Sequence, residues 1–311
     1  MRSETLDKLA AVAAGLTVLL WSSAFVVIRA VGTVFSPGSL TFIRLVVGLL
    51  CLLVLAAFYR QPLPRGRTLA LVAGYGLLWF AGYNITLNWA ERHLDAGTAA
   101  LLVNFAPILV AIFAGLFLGE GFPRQLVVGI AVAFGGVALI SLATAGDGNA
   151  DVIGVALGLV TALFYAASVL LQKVALRTVD PLTATWVACA AGMLATTPFA
   201  PVTLSELTHA SPTAITGAIY LGVAPTAIAF TTWAFALSRM NAGAASATTL
   251  AIPAIAIVLS WLTLQETPSA LAMCGGAIAL AGVALTRRSP KPAAASAAPT
   301  NKANQIDPCH D

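Results

Sequence analysis

Charge is what this chain lacks. Only 9% of its 311 residues are Asp, Glu, Lys or Arg and 59% are hydrophobic, whereas a soluble domain carries about 25% charged residues. A composition this apolar places the chain in a membrane. Histidine is nearly absent: His93, His209 and His310 are scattered through loops and tail, so no apolar run holds a base to activate a serine. Cys51, Cys189 and Cys274 stand in separate runs and Cys309 near the C-terminus. With no CxxC and no paired spacing, neither a disulfide framework nor a metal site is expected. No Gly-x-x-x-x-Gly-Lys phosphate loop exists to power a pump. Nothing long enough is left over for a catalytic domain, so the chain reads as a non-enzyme without cofactors.

Apolar blocks of about twenty residues recur along the whole length. Ten spans are expected, near 9–33, 38–59, 68–90, 96–118, 124–143, 153–176, 182–200, 213–237, 242–264 and 269–287. Turn chemistry separates them, as at Ser36-Pro37-Gly38, Asp180-Pro181 and Ser211-Pro212. The first run is too long for a cleaved signal peptide and reads as a signal anchor. With the N-terminus inside, the cytoplasmic segments hold Arg2, Lys8, Arg60, Arg65, Arg67, Arg124, Lys173, Arg177, Arg239, Arg287, Arg288, Lys291 and Lys302. The opposite face has Arg92, joined by Arg29 and Arg44 if both are counted outside. Both termini are therefore expected in the cytoplasm, in a cell (inner) membrane protein. The net charge of +4 reflects this bias and gives no reason to expect nucleic acid. Residues 289–311, rich in Pro, Ala and polar residues, read as a disordered cytoplasmic tail.

The strongest pattern is internal repetition. Offset by 144, Thr17 meets Thr161, Trp21 meets Tyr165, Arg29 meets Lys173, Pro37 meets Pro181 and Gly48 meets Gly192. Offset by 146, the stretch from Ala96 to Glu120 meets that from Ala242 to Glu266, with Pro107 on Pro253. Each unit, 9–143 and 153–287, holds five spans. An odd number forces the second copy to enter from the opposite side, so the fold class is an all-α membrane protein of two inverted five-helix repeats. Inverted repeats suit a transporter, because halves related by a two-fold axis in the membrane plane can exchange inward-open and outward-open states. Duplication kept for packing and a gated channel are the alternatives.

The segments "LLWSSAFVVIRAV" and "FIRLVVGLL", with the paired endings "FLGE" and "LQE", resemble the two EamA domains of the ten-span drug/metabolite transporter superfamily, over about residues 9 to 288. The resemblance implies ten helices around a central cavity lined by helices one, three, four, six, eight and nine, with the fifth of each unit outside. It also implies export of amino acids or other metabolites.

All 12 Asp and Glu fall in termini, loops or helix ends, Glu91, Asp95, Glu120 and Glu266 among them. A needless carboxylate at mid-span would cost roughly 2.5–3.5 kcal/mol. None being there, proton coupling through a buried acid is not expected and permanently cationic substrates are disfavoured. What remains is a neutral interior of aromatic, hydroxyl and amide groups. The substrate-binding candidates are Trp21, Ser22, Arg44, Tyr83, Asn84, Asn104, Tyr165, Ser168, Trp233 and Thr249. Alternatives stand beside them. A Ser or Thr in a membrane helix commonly bonds its own i−4 carbonyl. Trp21 and Tyr165 fit either an interfacial belt or a cavity wall, and Arg44 either snorkels outward or presents a fixed cation to a carboxylate or phosphate. Its repeat position is Ala188, so such a charge is asymmetric. Pro107 and Pro253 each remove the bond to the carbonyl four residues earlier, at Val103 and Thr249. They are expected to break or bend paired helices beside the path and serve in gating. Glu120 and Glu266 read as helix-end fixtures.

The function expected is a secondary transporter exporting small polar or amphipathic metabolites, above all amino acids. A broad drug exporter is second, and a membrane sensor or interaction protein third. The expected partners are a small-molecule substrate and the lipid bilayer; monomer and homodimer both stand open.

Overall fold

Proline and a polar cap set where many of the helices begin. Pro37, Pro181 and Pro212 each open a helix, where a missing N–H removes no bond and φ is already helical. The Asp180 side chain accepts from the backbone N–H of Leu182 and Thr183, Ser211 from Ala214, and Asp95 from Thr98. The computed structural model describes residues 2–59, 61–109, 113, 124–144, 150–239 and 248–286. Glu120, the first part of the second doubled stretch and the 289–311 tail lie outside the described residues.

Among these residues the structure is helical throughout, without strands. Helix α1 is Arg2–Val31 and α2 is Pro37–Phe58. Helix α3 covers Gly66–Ala90, with a π-helical stretch at Leu77–Tyr83. Helix α4 is Ala96–Leu109, α5 Arg124–Thr144 and α6 Ala150–Ala175. Helix α7, Pro181–Thr196, runs on through a short turn into Ala200–His209. Helix α8 covers Pro212–Arg239, with its own π-helical stretch at Val223–Ile228. Helix α9 covers Thr249–Leu264 and α10 is Ala270–Thr286. The helices α1, α2, α3, α6, α7 and α8 contain stretches long and apolar enough to cross a membrane, while α4, α5, α9 and α10 are shorter apolar helices.

Small residues decide which helices touch. A Cβ on Gly48 of α2 would meet Thr226 Cγ2 of α8 at 2.7 Å, and one on Gly222 of α8 would meet Val47 Cβ at 2.6 Å. The same contact between the two units recurs with their roles exchanged: a Cβ on Gly192 of α7 would meet Phe80 Cβ of α3 at 2.5 Å, and one on Gly76 of α3 would run into the Ala188 carbonyl. Gly48 and Gly192 are repeat mates. The α2–α8 and α7–α3 contacts are thus two copies of one close helix crossing, available only where the side chain is a hydrogen. Helices α5 and α10 pack on each other through Gly136, Gly275 and Gly282.

Both doubled stretches break where their prolines require. Helix α4 unwinds into a turn at Asn104 and Phe105, two residues before Pro107. In α9 a 3-10 turn, Thr249–Ala251, follows the helical residue Thr248, with Pro253 in the first turn of the α-helix that comes next. Offset by 146, the two irregular turns coincide.

Candidate functional site

A cavity lies among α1, α2, α3, α4, α6, α8 and α9. It is lined by Trp21, Ala24 and Phe25 from α1, Arg44 from α2, and Trp79, Tyr83 and Leu87 from α3. Val103, Asn104 and Pro107 come from α4, Tyr165 from α6, Phe230 from α8, and Thr249 and Ile252 from α9. Helices α5, α7 and α10 contribute nothing to the lining among the described residues. Free volume inside is only about 30 Å³, room for a water or two.

Its wall is aromatic. Trp79 packs edge-on against Tyr165 at 5.1 Å and against Phe230 at 5.0 Å between ring centroids. Trp21 lies 5.9 Å from Trp79 and 5.4 Å from Phe230, and Tyr83 sits 6.2 Å from Tyr165. Such edge and tilted contacts hold rings in fixed orientations. The Trp21 indole N–H donates to the Pro225 carbonyl at 3.2 Å, which turns the ring inward; it is not an interfacial belt residue.

The π-helical stretches of α3 and α8 begin at residues 77 and 223, 146 apart, the offset that aligns the doubled stretches. A π-helical stretch leaves backbone carbonyls out of register, and each here is answered by a side chain. Asn84 Nδ2 donates to the carbonyls of Trp79 and Phe80 at 3.0 and 2.9 Å. In α8, Pro225 has no N–H for the Leu221 carbonyl, and Thr226 Oγ1 donates to it at 2.8 Å. The two stretches therefore supply Trp79 and Tyr83 to the cavity, and the Pro225 acceptor that fixes Trp21.

Thr226 has a second task. Its Oγ1 accepts from Arg44 Nε at 2.6 Å, a contact made possible by the Gly48–Gly222 crossing. Arg44 is only 3% exposed and does not snorkel. Its Nη1 is buried without a hydrogen-bond partner among the described residues. At the mated crossing the corresponding residue is Ala188, so one cation enters the cavity from one side.

Of the residues singled out in the sequence, Trp21, Arg44, Tyr83, Asn104, Tyr165, Thr249 and Pro107 share this lining. Ser22, Asn84, Ser168 and Trp233 do not. Ser22 donates to the Val18 and Ile252 carbonyls and Ser168 to that of Phe164. Asn84 serves the π-helical carbonyls, and Trp233 is fully buried behind Trp21 with its indole N–H on Gln172. The Ser22 and Ser168 hydroxyls, the Asn84 Nδ2 and the Trp233 indole N–H are all occupied by helix backbone or a neighbouring side chain, as a dry interior demands. Pro253 lies beside the lining residue Ile252 without joining it. Sequence reading missed Trp79, the hub of the aromatic wall. Its position four residues before Tyr83 placed the two on one helical face.

A second departure concerns the acids. Glu91, just past α3, is only 2% exposed, so a helix-end position did not mean contact with water. Arg29, in the last turn of α1, donates through Nε and Nη2 to the Glu266 carboxylate at 3.0 and 3.3 Å. Glu266 therefore ties α9 to α1 and is more than a helix-end fixture.

The sequence model of the EamA-like transporter family matches residues 8–142 and again 152–288. The chain belongs to the EamA-like transporter family. Among curated relatives, a "Probable terminal-alkyne amino-acid exporter" of Streptantibioticus cattleyicolor is 33% identical over 280 residues, 88% of this chain and 91% of the relative. The "Uncharacterized transporter YdfC" of Bacillus subtilis is 31% identical over 286 residues, 92% of each chain. A solved crystal structure shares the fold with a TM-score of 0.59 at 19% identity, over 89% of this chain and 95% of that one. This EamA-like transporter is thus a multi-pass membrane protein, and its family works on small molecules rather than as enzymes.

Proposed function

We propose that the protein is a secondary transporter that exports amino acids, or metabolites of similar size and polarity, by alternating access. In this reading all ten helices cross the cytoplasmic membrane with both termini inside. The two inverted units, 9–143 and 153–287, rock around the aromatic cavity, and the breaks at Pro107 and Pro253 bend beside it. The observation that carries the substrate class is Arg44: a buried guanidinium with an unpartnered Nη1, set in an aromatic wall. A carboxylate would satisfy it with a charge-assisted bond. The rings of Trp21, Trp79, Tyr165 and Phe230 suit an apolar side chain, and their faces attract an ammonium group. The amino-acid exporter among the relatives supports the same class. A permanently cationic drug meets a like charge at Arg44, which weighs against the broad drug exporter.

The test is counterflow in proteoliposomes with a panel of amino acids, with and without a pH gradient. Exchange of one or more amino acids supports the proposal. Transport of unrelated drugs with none of any amino acid refutes it.

A further inference from the structure

Glu91 is a carboxylic acid with nothing to hold its charge. It is 2% exposed, and neither side-chain oxygen has a hydrogen-bond partner among the described residues. Four charged groups face it: Arg29 from α1, Arg44 from α2, Asp95 at the start of α4 and Glu266 from the segment after α9. None donates to its carboxyl, and each is engaged elsewhere, Arg44 through Nε while its Nη1 has no partner among the described residues. Arg29 reaches Glu91 only through the main chain, Nη1 donating to its carbonyl at 2.9 Å, while Nε and Nη2 are on Glu266. Arg44 Nε is on Thr226, and Asp95 accepts from the Thr98 backbone N–H and hydroxyl. Burial, with the like charges of Asp95 and Glu266, holds the Glu91 carboxyl well above the usual range against the pull of Arg29 and Arg44.

The geometry also supplies what an ionised Glu91 would use. The Arg29 guanidinium already touches its backbone, and the ion pair that detains it is only partly buried, at 30% and 35% side-chain exposure. Two acids therefore compete for one cation.

We propose that Glu91 is a proton-binding site distinct from the substrate cavity, and that it shares Arg29 with Glu266. With Arg29 on Glu266, Glu91 carries a proton. When the O–H bond breaks, the proton passes to water and the electron pair stays on Glu91. The new carboxylate then draws the guanidinium away from Glu266. The tie at this end of the bundle changes from α1–α9 to α1–α3, and all three helices line the cavity. One proton bound or released accompanies each exchange, which makes the proton the coupling ion. This last step rests on the transport reading above.

The experiment uses full-length protein in liposomes and two readouts. Infrared difference spectra, taken as the buffer steps from mildly acidic to alkaline pH, should lose a protonated carboxylic-acid C=O band in wild type and show none in Glu91→Gln. In Glu266→Gln, which frees Arg29 for Glu91, that band should already be gone at neutral pH although Glu91 is intact. With an amino acid that exchanges across the membrane, the ratio of pH-gradient-driven accumulation to counterflow should fall at least about tenfold in Glu91→Gln. A band that survives Glu91→Gln overturns the proton site, and one indifferent to Glu266→Gln overturns the shared cation. An unchanged ratio overturns the coupling. If no amino acid exchanges in wild type, the transport reading fails instead, and the infrared result still decides the proton site.

Discussion

Replacing Arg44 with Met tests the substrate assignment most directly, because the structure predicts opposite outcomes for binding and for stability. A hydrogen bond to a charged partner contributes about 1.5–3 kcal/mol, so losing the one from Nη1 to a substrate carboxylate should weaken apparent affinity by about 10- to 150-fold at 1.4 kcal/mol per decade. The folded protein without substrate loses little. Methionine removes the charge-assisted bond to Thr226, about 1.5–3 kcal/mol, and also removes a buried, charged N–H without a partner, a gain of at least about 1–3 kcal/mol. The melting temperature in detergent should hold or rise. The ligand can be cut in the same place as the protein: wild type should prefer a transported amino acid over its carboxamide by the same factor, and Arg44→Met should show almost no preference. These two deletions should not add, since both remove one interaction. The assay is competition of radiolabelled amino-acid counterflow by each compound. Equal competition by acid and amide in wild type, or a preference that survives Arg44→Met, refutes a carboxylate at Arg44.

Gly222→Val should drive α2 and α8 apart, because even a Cβ there lies 2.6 Å from Val47 Cβ; about 1–3 kcal/mol of thermal stability should be lost. Gly15→Ala, with nothing within 4 Å of its Cβ, should be silent. Trp21→Ala and Tyr165→Ala should each impair flux while the protein still reaches the membrane, and unchanged flux in both would remove them from the path. Asn84→Leu strands the Trp79 and Phe80 carbonyls and should lower thermal stability by about 1–3 kcal/mol. Glu91→Gln has a pH signature. Burial raises the folded-state proton affinity of Glu91 above its ordinary 4.5, so wild type loses stability as pH rises, by up to about 1.4 kcal/mol per unit until Glu91 ionises in the folded state. Glutamine does not titrate. The melting temperature of Glu91→Gln relative to wild type should therefore climb toward alkaline pH and level off near pH 4, and a pH-independent difference would refute a buried, proton-holding Glu91.

The helices and their repetition were legible because they are written in long apolar runs and in pairs of identical residues. The breaks beside Pro107 and Pro253 were legible for the same reason: a missing N–H has one local consequence. The π-helical stretches were not. No residue type marks a π-helix, and Asn84 and Thr226 declare their roles only when a freed carbonyl lies within reach. Ser22, Ser168 and Trp233 read as cavity residues because a sequence gives the face a residue occupies but not what stands opposite. Glu91 misled in the other direction, since one residue past a helix reads as interface. Packing of α1 and of the segment carrying Glu266 over that end buries it.

The informative positions are those where the two halves disagree. Symmetry explains the framework: Gly48 with Gly222 and Gly192 with Gly76 make the same close crossing twice, and of the π-helical stretches 146 residues apart one lines the cavity with Trp79 and Tyr83 while the other holds Trp21 through the Pro225 carbonyl. A perfectly symmetric molecule would offer the same chemistry to both sides and bind its substrate equally from either. At the position of Arg44 the second half has Ala188. Offset by 146, Glu91 falls on Leu237. The one cation in the cavity lining among the described residues and the buried acid that faces it thus both belong to the first half. Glu266, which holds Arg29, belongs to the second, so the Arg29–Glu266 pair is a bond between repeats. In the transport reading proposed above, exchanging it for a tie from Arg29 to Glu91, both in the first half, frees the halves to move against each other.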